Sequence, residues 1–133
     1  MASLIINSPW YCPQAHKTLL AIMPHYHGVL DKIIFMGGAT PLATLSPSQT
    51  LQTYLLANNQ KSELSNDDFA LLDKCALHYR SWAQKQGITL LVCGMAAKRF
   101  LLDNKISSCD GLALTGYMEL LALLNKKGDA LIW

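Results

Sequence analysis

The chain has 133 residues, of which 51% are hydrophobic and 15% are charged, and its formal net charge is +2. This composition excludes a disordered polymer and predicts one compact domain over residues 1–133. The scattered lysines and arginines form no basic stripe, which argues against direct nucleic-acid binding, and no apolar run approaches the length of about 18 residues that a membrane span needs.

The four cysteines form no C-x-x-C pair and no dense disulfide framework; they are Cys12, Cys75, Cys93 and Cys109. The first ten residues, MASLIINSPW, lack the charged region and the long apolar run of a secretory signal peptide. We therefore expect a cytoplasmic protein with reduced thiols.

Short apolar runs alternate with helical patterns along the chain, a rhythm typical of βαβ units. The sequence accordingly predicts a three-layer α/β/α fold with a mostly parallel sheet of about five strands. Residues 3–7 form the first predicted strand and residues 32–36 the second. Between them, a helix is expected from Pro13 or Gln14 to about Pro24, where the proline ends or kinks it.

The connection over residues 37–66 is long for a parallel α/β fold. Within it, Ser46 is a candidate N-cap and Pro47 occupies the first helical position, so one extra helix is expected. Connections of this length are often functional.

The best-defined helix begins after Ser65, which forms a capping box with Asp68, and ends before Gly87. The remaining predicted elements, in chain order, are a strand over 88–93, a helix over 95–103, a short strand over 112–115, a helix over 117–126 and a last strand over 130–133.

Cys93 lies where the third predicted strand gives way to a helix. Reactive sites of open parallel sheets lie at the carboxyl ends of the strands, and a helix amino end favours an anion, which for cysteine is the thiolate. The following residues, GMAA from Gly94, carry nothing bulky or acidic, and Lys98 and Arg99 add positive charge. The alternative is that Cys93 is only a small packed hydrophobe, because free cysteines are among the most buried residues.

The order of several motifs resembles the DsrE/TusD family of small sulfurtransferases. A strand closed by cysteine precedes an alanine-rich basic helix, a glycine-spaced stretch and an aspartate-led last strand. In this chain the matching residues are Cys93, Ala96, Ala97, Arg99, Gly111, Gly116, Leu120 and Asp129. The first turn of the family is also matched, by Ser8, Pro9, Tyr11, Cys12 and Gln14.

The resemblance implies a DsrE-like domain that accepts a sulfane sulfur on Cys93 as a persulfide and passes it to a partner protein's thiol. It implies a sulfur relay of the tRNA-thiolation or sulfur-oxidation type, without metal or organic cofactor. It also implies a homo- or hetero-oligomer of DsrE-family subunits that meets sulfur-donor and sulfur-acceptor proteins. Gly94, Lys98, Arg99 and Cys12 are the supporting candidates.

Three alternatives stay open. Cys93 and Arg99 have the C-x5-R spacing of thiol phosphatases and rhodaneses, in which a loop of N–H groups cradles an oxyanion. A second alternative is that the chain is a non-catalytic subunit of a DsrE-like assembly. Cys12 is either an unpaired turn cysteine or a relay thiol at the same sheet edge as Cys93.

The pair His25 and His27 is poor evidence for a metal site, because no third ligand lies nearby in sequence.

Overall fold

A computed structural model describes residues 2–100, 112–115 and 130–133. The predicted helix over 117–126, the last residues of the helix predicted over 95–103, and Cys109 lie outside these described residues. So do the family-like positions Gly111, Gly116, Leu120 and Asp129.

In the described part of the chain, five parallel strands form one sheet, in the order β4-β3-β2-β1-β5. The strands are β1 (Ala2–Ile6), β2 (Leu30–Phe35), β3 (Thr89–Cys93), β4 (Leu112–Thr115) and β5 (Ala130–Ile132). The predicted parallel α/β fold class is confirmed; β4 has the predicted bounds, and the other strands have ends within two residues of the predicted ones.

Both faces of the central strands are buried, which explains why their sequences are almost continuously apolar. Leu4, Ile6 and Phe35 belong to the larger hydrophobic cluster, whereas Ile5 and Ile34 form a second cluster with Met36 and Leu91 packed against it. Because successive strand residues point to opposite faces, the two clusters lie on opposite sides of the sheet, as a three-layer arrangement requires.

The described helices are α1 (Pro13–Ile22), α2 (Pro47–Ala57), α3 (Asn66–Gln86) and α4 (Gly94–Arg99). Short 3-10 segments follow α1 over Met23–Tyr26 and β2 over Gly37–Ala43. The second of these was not predicted.

Helix α3 has the predicted ends. Ser65 Oγ accepts from the Asp68 N–H and the Asp68 carboxylate accepts from the Ser65 N–H, while Gly87 adopts the left-handed conformation with φ of 67°. The stripe of Leu72, Cys75, Ala76, Tyr79 and Ala83 is buried. Local signals therefore fix this helix, because both caps involve residues within one turn of its ends.

Helix α2 confirms the extra helix in the 37–66 connection, with the predicted residue at its N-cap. Ser46 occupies the N-cap position and its side chain makes no capping hydrogen bond. Instead the Asp73 carboxylate, on α3, accepts from the Ser48 N–H at 2.9 Å and from Ser48 Oγ at 2.6 Å. A carboxylate from a neighbouring helix thus satisfies one free N–H of α2 and places negative charge at its positive end.

Candidate functional site

Cys93 is the last residue of β3 and the residue that immediately precedes α4. It pairs in register with Thr115 of β4, and its backbone is extended, with φ of −67° and ψ of 123°. The chain therefore changes from strand to helix at Cys93 without an intervening loop. This is the predicted position, at the edge of the sheet where the carboxyl ends of the parallel strands meet.

The Cys93 side chain is covered, with a relative exposure of 7%. It nevertheless belongs to neither of the two hydrophobic clusters. Helix α4 begins at the next residue, where Gly94 is half-buried and Met95 is 68% exposed. Cys93 is therefore one of the buried apolar residues, at the carboxyl end of β3.

The basic pair on α4 is exposed and lies in the last turn of that helix. The Arg99 guanidinium carbon lies 5.6 Å from the centre of the Phe100 ring. Lys98 and Arg99 are therefore at the opposite end of α4 from Cys93, and both side chains are exposed to solvent.

The C-x5-R interpretation requires a loop that wraps its N–H groups around an oxyanion. Here residues Gly94–Arg99 form a helix, so most of these N–H groups are directed along the helix axis. The geometry therefore does not support a phosphatase or rhodanese site.

Cys12 is exposed and immediately precedes α1, in the turn that follows β1. β1 and β3 are separated by β2 in the sheet. Cys12 and Cys93 thus lie at the same edge of the sheet but two strands apart, and among the described residues no disulfide joins them. The third described thiol, Cys75, is buried in the α3 stripe, and burial raises its pKa.

A cleft of about 410 Å³ opens at this same edge, and sequence reasoning missed it. Its first wall is formed by the turns after β1 and β2, with Asn7, Pro9, Trp10, Tyr11 and Gly38. Its second wall comes from α2, the residues after it and the end of α4, with Tyr54, Gln60, Arg99 and Phe100. Of the predicted supporting residues, only Arg99 lines the cleft, and Cys93 does not.

The first wall depends on a close approach between two turns. A Cβ atom at Gly38 would lie 3.0 Å from Pro9 Cβ, and one at Gly37, where φ is +52°, would lie 2.9 Å from Asn7 Oδ1. The Trp10 N–H donates to the Gly38 carbonyl at 2.9 Å. Glycine at both positions thus allows the turn after β2 to pack closely against the turn after β1.

A buried histidine holds the turn after β1 from below. His16 Nε2 lies 2.8 Å from the Ser8 carbonyl oxygen, and His16 Nδ1 lies 2.9 Å from the Tyr79 hydroxyl. Because a carbonyl only accepts, Nε2 carries the proton, and neutral Nδ1 accepts from the Tyr79 O–H. Burial, the largest effect, lowers the pKa of His16, although hydrogen bonds to the Ser8 and Pro9 backbone oppose it.

The other candidate ligands do not assemble into a metal site among the described residues. His25 and His27 are exposed, and no group of three His, Cys, Asp or Glu side chains in that part of the chain is arranged to hold a metal ion. In the same part of the chain, no helix has the length and apolarity needed to cross a membrane.

The fold and the position of Cys93 define an α/β protein with a parallel sheet and a cysteine at its carboxyl edge. No protein-family model matches the sequence, and no curated protein matches it. Among solved structures, the fold is similar to that of the ychN protein from Escherichia coli. That comparison covers 100% of this chain and 99% of the other, with a TM-score of 0.52 and 13% sequence identity. At this identity the likeness shows the fold alone.

Proposed function

We propose that this chain is a sulfurtransferase of the DsrE/TusD type that carries a sulfane sulfur on Cys93. The observation that carries the proposal is the position of Cys93, between a parallel strand and a helix at the carboxyl edge of the sheet. The order of family-like motifs in the sequence supports it, and so does a fold shared along the whole chain with the ychN protein.

The transfer consists of two thiol exchanges. In the first, the Cys93 thiolate attacks the outer sulfur of a donor persulfide, R–S–SH. A bond forms between Cys93 Sγ and that sulfur, the donor's S–S bond breaks, and the donor's inner sulfur leaves as a thiolate with the bonding electron pair.

In the second exchange, a thiolate of the acceptor protein attacks the outer sulfur of the Cys93 persulfide. The S–S bond at Cys93 breaks, and Cys93 returns to the thiolate with the electron pair. One sulfane sulfur moves from donor to acceptor without net oxidation or reduction. The cycle therefore needs no redox cofactor.

The burial of Cys93 sets a requirement on the donor. A relative exposure of 7% leaves little room for a second sulfur, so the chain around Cys93 has to open for the donor, and α4 begins at the next residue. Gly94 presents no side chain there, and the exposed Lys98 and Arg99 offer positive charge for contact with an acidic partner protein. We assign no chemical step to Cys12, which lies in a different turn.

The proposal places the protein in the cytoplasm, where thiols stay reduced, as one subunit of a homo- or hetero-oligomer. Its partners are the sulfur donor and the sulfur acceptor of a relay that ends in tRNA thiolation or in sulfur oxidation. The resemblance to the DsrE/TusD family supports this part of the proposal.

The test is mass spectrometry of peptides after incubation of the protein with glutathione persulfide. We expect one added sulfur on the Cys93 peptide of the wild type and of the Cys12→Ser variant, and its transfer to an added acceptor thiol. Cys93→Ser should lose the transferable sulfur, whereas its matched control, Cys12→Ser, should retain it. Transfer at the wild-type rate by Cys93→Ser would show that Cys93 does not carry the transferred sulfur.

A second candidate function is a non-catalytic subunit of a DsrE-like assembly, which the low exposure of Cys93 favours. In that case Cys93 of the native protein takes up no sulfur and Cys93→Ser assembles normally. The peptide measurement above separates the two candidates, because only the sulfurtransferase acquires a persulfide at Cys93.

A further inference from the structure

The cleft at the sheet edge contains more aromatic surface than the sulfur exchange uses. Trp10 and Tyr11 make an edge-to-face pair in the first wall, with ring centres 5.4 Å apart. Tyr54 and Phe100 make a tilted pair in the second wall, with ring centres 4.7 Å apart. Trp10, Tyr11 and Tyr54 thus give the two walls aromatic surface against which a flat apolar group can stack, and Phe100, which is 3% exposed, packs against Tyr54.

The charge in the cleft has one sign. Among the lining residues that the structure describes, Arg99 is the single charged side chain, and none is acidic. A guanidinium offers planar, paired donors that match a carboxylate or a phosphate. Its position 5.6 Å from the Phe100 ring centre places this charge beside an aromatic surface.

Two carboxamides, Asn7 and Gln60, complete the lining at opposite walls. Each offers both donors and acceptors to a polar edge of a ligand. The volume of about 410 Å³ falls within the range of roughly 300–1,000 Å³ that is typical of small-molecule sites. Aromatic walls, a few polar groups and one cation describe a site for a ring that carries an anion.

We propose that this cleft binds a small planar molecule in which an aromatic ring carries a phosphate or a carboxylate group. The ring lies against Trp10 and Tyr54, and the anionic group pairs with Arg99. Because Cys93 does not line the cleft, the binding is non-covalent and does not rest on sulfur transfer.

The test is isothermal titration calorimetry of the full chain with two anionic probes, adenosine monophosphate and naphthoate. Adenosine and naphthalenemethanol are the matched neutral probes, and ribose phosphate is the anion without an aromatic ring. We expect at least one anionic probe to bind, and its neutral counterpart to bind at least about tenfold more weakly, as expected when a paired charge is lost. A response to adenosine monophosphate alone identifies a phosphate ester as the ligand, and a response to naphthoate alone identifies a carboxylate.

Two variants of neighbouring basic residues separate the cleft from general charge. Arg99→Gln should weaken the anionic probe by about tenfold, whereas Lys98→Gln, which alters an equally exposed charge outside the cleft lining, should leave its affinity within about twofold. Tyr54→Leu should weaken the aromatic probes while circular dichroism shows an intact fold. Cys93→Ser should bind as the wild type does, so a failure of the sulfur proposal leaves this result unchanged.

Four results would overturn the proposal. They are the absence of binding by both anionic probes, equal binding of the neutral probes, an unchanged affinity in Arg99→Gln, and ribose phosphate binding as tightly as adenosine monophosphate. In each of these cases the cleft lacks either the selectivity for charge or the selectivity for a ring that its lining implies.

Discussion

Cys12, Cys75 and Cys93 occupy three different environments. Cys12 is exposed in a turn, Cys93 is 7% exposed at the rim of the sheet, and Cys75 is 2% exposed on the buried stripe of α3. Access and thiolate content together decide how fast a cysteine reacts. The three thiols should therefore differ in rate even though all are free.

We predict that iodoacetamide modifies Cys12 first, Cys93 more slowly and Cys75 slowest. Burial raises the pKa of Cys75, so its thiolate fraction near neutral pH is reduced as well as hidden. Timed alkylation of the native protein followed by peptide mass spectrometry measures each rate, and alkylation in denaturant is the control. Modification of Cys93 as fast as Cys12 would show that the rim over Cys93 opens readily.

Helix α2 is capped by a residue of its neighbour, α3. Its buried face is short, with Leu51 and Leu55 as its large apolar side chains, and its first turn contains no acidic residue of its own. Asp73 supplies the missing negative charge from α3, through bonds of 2.6 and 2.9 Å to Ser48. α3 also holds the preceding 3-10 segment, because Arg80 Nη2 donates to the Ala43 carbonyl at 2.6 Å.

We predict that Asp73→Ala lowers the free energy of unfolding by about 1–2 kcal/mol, the usual cost of a lost helix cap. Lys74→Ala, at an exposed position one residue along the same helix, should change it by less than about 0.5 kcal/mol. Urea unfolding followed by circular dichroism gives both values. If the two variants were equally stable, Asp73 would not be an effective cap.

The contrast between the two caps shows what the sequence reveals about an element. Ser65 and Asp68 are three residues apart and their reciprocal bonds follow from local pattern, so both ends of α3 were predicted correctly. Ser48 and Asp73 are 25 positions apart, and their contact exists only once α2 packs on α3. The extra helix and its N-cap position at Ser46 were predicted, but the bonds that the Asp73 carboxylate accepts from Ser48 were not.

The His16 and Tyr79 pair joins three parts of the fold. His16 lies on α1, Tyr79 lies on α3, and the Ser8 carbonyl belongs to the turn that forms one wall of the cleft. Since the imidazole is buried and neutral, it has to lose these bonds or acquire a buried charge when it is protonated.

We predict that stability declines as the pH falls below about 6.5, the ordinary pKa of histidine. The pKa of His16 is lowered in the folded protein, so the unfolded chain binds a proton first and acid favours unfolding. The decline continues until the pH passes the folded-state pKa. Urea midpoints at a series of pH values measure it.

The matched variants for this prediction are His16→Gln and Tyr79→Phe. Both remove the bond between the two side chains, but only Tyr79→Phe retains a buried imidazole. The decline attributed to His16 should therefore persist in Tyr79→Phe and shrink in His16→Gln. An undiminished decline in His16→Gln would assign the acid sensitivity to other groups.

The general architecture was predictable because the apolar runs of β1, β2 and β3 are buried on both faces, and they read as parallel strands without any knowledge of tertiary contacts. The position of Cys93 followed from the same pattern. Its low exposure did not, because burial depends on tertiary contacts that a strand pattern does not reveal. The cleft was missed for a similar reason. Asn7, Gly38, Tyr54 and Phe100 come from four separate segments, and only the folded chain brings them together.

The cap that Asp73 provides has a consequence for the order of folding. Residues 47–57 leave the ribosome before Asp73 does, and a helix of 11 residues is marginal in water without tertiary support. During synthesis, this segment, which forms part of the second wall of the cleft, therefore becomes a stable helix only after α3 has been made and packs against it. The cleft therefore forms late in folding, because its second wall depends on Asp73, which lies 25 residues after Ser48.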